Sequence, residues 1–256
     1  MMISRAAFAD QSLDLPPGYT LVALREHGDA FAHACTIATQ SGAGTLVWVR
    51  RYDLVEFAVV LEPEEPLRSA RRALFAGMNA VGDAIAAHCP PEREVTFSWP
   101  DTVIFDGGLL GGGRLGWPPD CAEAGVPAWL VFGAMLRAAD MAHLDEVQSA
   151  SGVSLLGEGF QMIETDAIVE SFARHLMTGF DRWGERGFAP VARDYLQRLP
   201  KGKAGEQRGI DENGDLLLNL PASRAPQRVG LVDALAKVAW YDREHRGPRL
   251  GLERPC

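Results

Sequence analysis

Phe97-Ser98-Trp99-Pro100-Asp101-Thr102-Val103-Ile104-Phe105-Asp106-Gly107-Gly108-Leu109-Leu110-Gly111-Gly112-Gly113-Arg114 is the stretch whose reading decides the fold. It reads as a strand, a Trp-Pro corner, a second strand and a glycine-rich reversal over residues 106–113. Proline fixes its own φ and has no N–H to give a β-ladder, so Pro100 marks the corner. Glycines let the backbone come close to a ligand or to another strand, and their amides can meet an anion or a carbonyl. Asp101, beside the corner, is placed to accept a hydrogen bond or hold a cation. On spacing alone the same residues also describe a tight hairpin that simply needs glycine, and both readings stand at this point.

Upstream, residues 19–24 (YTLVAL), 44–50 (GTLVWVR) and 55–61 (VEFAVVL) are rich in β-formers, and the polar turn 51–53 makes the last two an antiparallel pair. Residues 29–40 read as a helix with Asp29 as cap and Phe31, Ala34, Cys35 and Ala38 on one stripe. Leu67, Ala70, Leu74, Met78, Val81 and Ile85 recur at steps of three and four, which predicts one long amphipathic helix over 67–88. Its other face carries Arg68, Arg71, Arg72, Asn79 and Asp83; the three arginines form a basic patch that reads as a solvated helix face or as an interaction surface for an acidic partner. Downstream come a strand over 128–136, a long helix over 163–183 and a third helix over 190–199. The polar, glycine-bearing segment 200–209 reads as a linker, and residues 208–220 as a hairpin turning at Asn213-Gly214. The expected fold is α+β: a mixed, largely antiparallel sheet packed by helices over 1–199, then a small β-rich module over 200–256.

Composition narrows the function. The chain has 256 residues, 25 Lys plus Arg against 34 Asp plus Glu, and a net charge of −9. A general nucleic-acid binder needs a basic face to displace counterions, so no nucleic-acid partner is expected. No apolar run reaches the ~18 residues of a membrane span, so no membrane partner is expected either. The opening MMISRAAFADQ has no signal-like apolar stretch. The four cysteines, Cys35, Cys89, Cys121 and Cys256, form no CxxC and read as free thiols. These features together predict a cytoplasmic protein. Cys121, in a Pro-Pro-Asp-Cys loop, is a candidate acyl-carrying nucleophile, but no histidine stands near it in sequence to lower its pKa. Cys35 is expected in the core. The six histidines are scattered, and no metal site is predicted.

The Trp99-Pro100-Asp101 element and its glycine strand resemble the biotin/lipoate protein ligase family. Members carry Lys-Trp-Pro-Asn-Asp, then Gly-x-Lys-Leu-x-Gly about ten residues on. Here Ser98-Trp99-Pro100-Asp101-Thr102 stands at the first segment and Gly107-Gly108-Leu109-Leu110-Gly111-Gly112 at the second. Residues 41–51, with Trp48, Arg50 and Arg51, stand where members have an arginine/glycine-rich loop. The strand 131–135 stands where they have Val-Ile-Gly-Ile-Gly, and the hairpin 209–218 resembles the small C-terminal barrel-like module of biotin ligases. The resemblance implies a pocket for a small-molecule carboxylate: biotin, lipoate or octanoate. It implies ATP and magnesium as cofactors and an adenylate passed to a lysine of an acyl or biotinyl carrier domain; some relatives transfer through a cysteine thioester. An acidic carrier domain is then the partner that the Arg68, Arg71 and Arg72 patch would meet. Arg50, Arg51 and Asp101 are the implied catalytic residues, with Arg50 or Arg51 holding the carboxylate or phosphate. Trp48, Trp99, Pro100, Gly111, Gly112, Gly113 and Arg114 are the implied ligand-binding residues, although tryptophans like Trp48 and Trp99 are more often core than stacking platforms. The sequence departs from the pattern where charge matters. Ser98 and Leu109 replace the two family lysines, and leucine cannot donate to an anion. The alternative implied is a member without turnover, acting as a binding or regulatory module.

Overall fold

The computed structural model describes residues 13–26, 28–139, 153–160, 164–221 and 225–249. Cys256, two of the six histidines (His27 and His143) and the first residue of the helix expected over 163–183 lie outside them. In chain order the elements are β1 (Thr20–Leu24), α1 (Ala30–Ser41), β2 (Thr45–Val49), β3 (Leu54–Leu61), α2 (Leu67–Ala70), α3 (Ala73–His88), β4 (Val95–Ser98), β5 (Thr102–Phe105), β6 (Gly108–Gly116), β7 (Leu130–Arg137), α4 (Glu164–Arg186), α5 (Ala189–Gln197), β8 (Gln207–Ile210), β9 (Leu216–Asn219), β10 (Gln227–Val229), α6 (Leu231–Leu235), β11 (Tyr241–Asp242) and β12 (Gly247–Pro248).

Seven strands form one sheet in the order β1-β2-β3-β7-β6-β5-β4. Only β1 and β2 run parallel; the remaining pairs are antiparallel. The spine is β3 with β7, paired over eight positions from Leu54↔Arg137 to Leu61↔Leu130. Successive residues of a strand face opposite sides of a sheet. Val55, Phe57 and Val59 therefore enter the main core under α3 and α4. Ala58 and Val60, with Val47, Val49 and Val131, lie under the alanine stripe of α1. Cover on both faces explains why these strands read as nearly unbroken apolar runs. Asp29 caps α1 as expected, its Oδ1 accepting from the Ala32 amide at 2.9 Å.

The α+β expectation is met, and β8, β9 and β10 form a small separate sheet, with residues 211–215 turning β8 into β9. Three local expectations are corrected. The helix expected over 67–88 is two, with a turn at Arg71 and Arg72 between them. Arg71, only 4% exposed, donates to both Glu123 carboxylate oxygens at 2.6 Å. Arg72 bonds Glu65 at 2.6 Å and covers Phe188. Neither is a solvated helix face. The glycine-rich reversal over 106–113 is only a two-residue turn at Asp106-Gly107, both at positive φ. The glycines after it form β6, inside the sheet.

Candidate functional site

The Trp-Pro corner joins β4 to β5 at one edge of the sheet, and its two residue types part company there. Trp99 turns to the helical side, stacked on Phe75 at 5.5 Å and edge-on to Tyr195 at 5.9 Å. The buried Tyr195 hydroxyl donates to the Pro100 carbonyl at 2.8 Å, which pins the corner to α5. Asp101 is 3% exposed. Its backbone carbonyl accepts from the Gly113 amide at 2.7 Å. Its carboxyl meets the Thr102 hydroxyl at 3.3 Å. Burial pushes the Asp101 pKa up to about 7; Thr102 and the indole N–H of Trp240 pull the other way. That N–H lies close to the carboxyl without the alignment of a full hydrogen bond.

The three glycines of β6 are close-approach positions, each for a different neighbour. A Cβ at Gly111 would stand 2.0 Å from the Met135 carbonyl oxygen, and one at Gly113 would stand 2.7 Å from the Met78 sulfur on the helical side. A Cβ at Gly112 would stand 2.4 Å from the Trp240 indole nitrogen on the opposite side. The side that carries α1 thus continues across β3, β7 and β6 as a second surface, bearing Glu56, Met135, Gly133, Arg114, Gly112 and Leu109. The C-terminal residues 238–249 lie over it. Trp240 is fully buried there with Leu54, Leu109 and Met135.

The arginines fall into three settings. Arg50 sits over Trp48 at 5.7 Å, and its charge is felt by Asp166 of α4. Arg51 is on the α1 side. It holds Asp53 by two hydrogen bonds, at 2.8 and 2.6 Å, and Glu56 at 3.4 Å. Burial alone would raise Asp53, but the Arg51 bond and charge outweigh it and its pKa is lowered. Glu56, 3% exposed, also accepts from the Ala30 amide at 2.9 Å, and burial raises its pKa. Arg114 is held among rings, 4.1 Å from Tyr241, 5.3 Å from Phe31 and 5.6 Å from Trp240. Among the described residues no carboxylate lies within ion-pair distance of it.

The structure therefore brings Asp101, Gly112 and Arg114 together around Trp240, with Arg51 farther along the same surface beyond Met135. It does not gather Arg50, Arg51 and Trp99 around one hollow. Trp99 is on the helical side, and Trp48 with Arg50 lies four strand positions from the corner, on the order of 19 Å. Gly111 makes room for the Met135 backbone and Gly113 for the Met78 and Phe132 side chains, while the Pro100 carbonyl accepts from Tyr195. Sequence reading missed Glu56, Phe31, Trp240 and Tyr241. Two signals were present: a single charge inside the apolar run VEFAVVL, and an aromatic pair in a polar tail.

Open space on this side is small. A cavity of about 170 Å³ lies between Arg51, Glu56, Met135 and Tyr241, rimmed by Glu26 and Asp29. It is below the ~300 Å³ at which small-molecule sites begin. Two larger clefts, about 670 and 480 Å³, lie elsewhere and hold none of the predicted residues. In the larger one, Arg72 and Arg208 are already paired with Glu65 and Glu206. The donor set on the α1 side does not fit a nucleotide triphosphate with its metal. Leu109 is buried in an apolar cluster, Arg51 is neutralised by two carboxylates, and Glu26, Asp29 and Glu56 add negative charge. Among the described residues no group of three His, Cys, Asp or Glu side chains could hold a metal ion. Cys35, beside Arg114, has its thiol pushed up to about 11 by burial and is not an activated nucleophile. Cys121 is half-buried and, like Cys35 and Cys89, is a free thiol.

Comparisons with known proteins agree with this architecture. The family model described as the biotin/lipoate A/B protein ligase family matches residues 15–197. A biotin–[acetyl-CoA-carboxylase] ligase from Paracoccus denitrificans is 28% identical over 231 residues, covering 84% of this chain and 91% of that protein. A crystal structure of a biotin protein ligase-like protein of unknown function from a Silicibacter species superposes with a TM-score of 0.74 at 25% identity, covering 87% of this chain and 99% of that one. The biotin protein ligase of Aquifex aeolicus in complex with biotin and ATP gives a TM-score of 0.57 at 12% identity, covering 82% and 94%, a likeness of fold.

Proposed function

The chain belongs to the biotin/lipoate A/B protein ligase family, and from that premise we propose that it binds a small carboxylate without adenylate-forming ligation. The ligand class is biotin, lipoate or an octanoate-like acyl acid, and the role is that of a cytoplasmic binding or regulatory module. The ligand site lies in the 1–199 part, and 200–256 contributes the small β-rich module and the covering C-terminal residues. The observation that carries this reading is Arg114, a half-buried guanidinium beside Gly112 with aromatic walls and, among the described residues, no carboxylate within ion-pair distance, although the buried Glu56 feels its charge. Guanidinium is a good match for a carboxylate.

Ligation asks for more. Charge develops on carboxylate and phosphate in the transition state, and each missing preorganised donor costs about 3–4 kcal/mol. Ser98 and Leu109 leave two such donors out, roughly 10⁴-fold or more in rate. The competing reading, attachment of the acid to a carrier-domain lysine with ATP and magnesium, is favoured by what the Paracoccus relative is named for.

One experiment separates the two. The chain is incubated with ATP, magnesium and each acid, followed by mass analysis for adenylate, and binding is measured in parallel by calorimetry. The expected result is binding without adenylate, weakened at least tenfold by Arg114→Ala. Adenylate formation would overturn the reading, as would affinity unchanged in Arg114→Ala.

A further inference from the structure

Nothing in the ligation chemistry calls for an aromatic pair at the end of the chain, yet Trp240 and Tyr241 occupy the middle of the ligand surface. Trp240 is 0% exposed. Its ring fills the space over Gly112 that a Cβ would need, so glycine and indole are matched in shape. Tyr241 lies face-on to Arg114, the group a carboxylate would seek. A ligand and these two rings cannot share the place.

We propose that residues 238–249 are a built-in occupant of the ligand surface, a strap that must lift before a carboxylate reaches Arg114. The proposal rests on the carboxylate-binding reading for its ligand, but not for its closure. The strap's attachment suits an opening device. Its strands β11 and β12 are two residues each and pair only with one another. They join no ladder of the seven-stranded sheet, so lifting them breaks none of its backbone hydrogen bonds. Its tethers include side-chain bonds from Arg137 of β7, whose Nη2 donates to the Pro248 and Arg249 carbonyls at 2.8 and 2.9 Å, and the Arg249 amide donates to the Trp240 carbonyl at 2.7 Å. The Trp240 indole N–H is buried without an aligned hydrogen-bond acceptor, so no well-formed bond of the ring holds the strap down. Segments with few backbone ties to the sheet are the ones that open below global unfolding.

The test uses the full chain and two measurements. Hydrogen exchange by mass spectrometry compares residues 238–249 with β3 and β7, before and after adding biotin, lipoate or octanoate. Calorimetry compares affinity for the same acids in the wild type and in the double variant Trp240→Ala/Tyr241→Ala. The strap is expected to exchange at least 100-fold faster than β3 and β7, and faster still with ligand. The double variant is expected to bind at least tenfold more tightly. If strap amides exchange only together with β3 and β7, the segment is fixed core and the proposal falls. It also falls if variant and wild type bind the same acid within twofold. A strap that opens locally while neither protein binds any acid upholds the closure and overturns the carboxylate reading. Exchange on the wild type decides the closure even if the double variant does not fold.

Discussion

Asp101→Asn isolates the most unusual charge in the molecule. The Asp101 carboxyl is 3% exposed and accepts from the Thr102 hydroxyl at 3.3 Å. Burial raises its pKa from 3.8 to about 7. Between those values the folded chain keeps a proton that the unfolded chain has already released, so folding loses stability as pH rises from about 4 to about 7. The two values lie about 3 pH units apart, and each unit is worth about 1.4 kcal/mol, giving about 4 kcal/mol above pH 7. Asparagine keeps the shape and never ionises. Wild type and variant should therefore melt together near pH 4. At pH 8 the variant should be more stable by about 4 kcal/mol, or roughly 8 °C for a chain of this size. Thermal and urea melts from pH 4 to 9, with a carboxyl carbon titration of Asp101, read this directly. A difference that stays constant with pH would refute the reasoning, and so would a wild type that gains on the variant as pH rises.

Three stability predictions accompany it. Gly77→Ala in α3 would gain about 1 kcal/mol of helix propensity, but its Cβ would stand 2.4 Å from the rigid Phe132 ring. Overpacking of that kind costs about 1–3 kcal/mol, so the variant should be net destabilised in a urea melt. Gly179→Ala in α4, with nothing within 4 Å of the new Cβ, should instead stabilise by up to about 1 kcal/mol. Tyr195→Phe removes the 2.8 Å bond to the Pro100 carbonyl in a fully buried place; it should cost about 1–3 kcal/mol in the same assay.

The sequence made the order of elements legible because local rules govern it. The period-two and three-to-four-residue patterns, Asp29 as cap and Pro100 as corner each act within a few residues of chain. The Trp99-Pro100-Asp101 element and the glycine strand also identified the family, and the missing lysines at Ser98 and Leu109 were visible without coordinates. What misled was any feature whose meaning depends on a distant partner. Gly111, Gly112 and Gly113 read as a turn because glycine favours turns. They are strand because the Met135 backbone, Trp240 and Met78 leave no room for a side chain there. Arg71 and Arg72 read as solvated because arginine usually is; Glu123 and Glu65 pair with them instead.

The candidate site divides along the same line. Sequence alone placed Arg51, Arg114 and Asp101 at positions the family resemblance points to, and Ser98 and Leu109 where members carry lysines. Only the tertiary structure decided that Arg51 is neutralised by Asp53 and Glu56, that Trp99 lies on the other side of the sheet, and that Trp240 covers Gly112. The reason is physical. A strand's alternation tells which residues share a side, but not which side faces a ligand. Which groups meet there is set by chain segments more than a hundred residues apart folding onto one sheet.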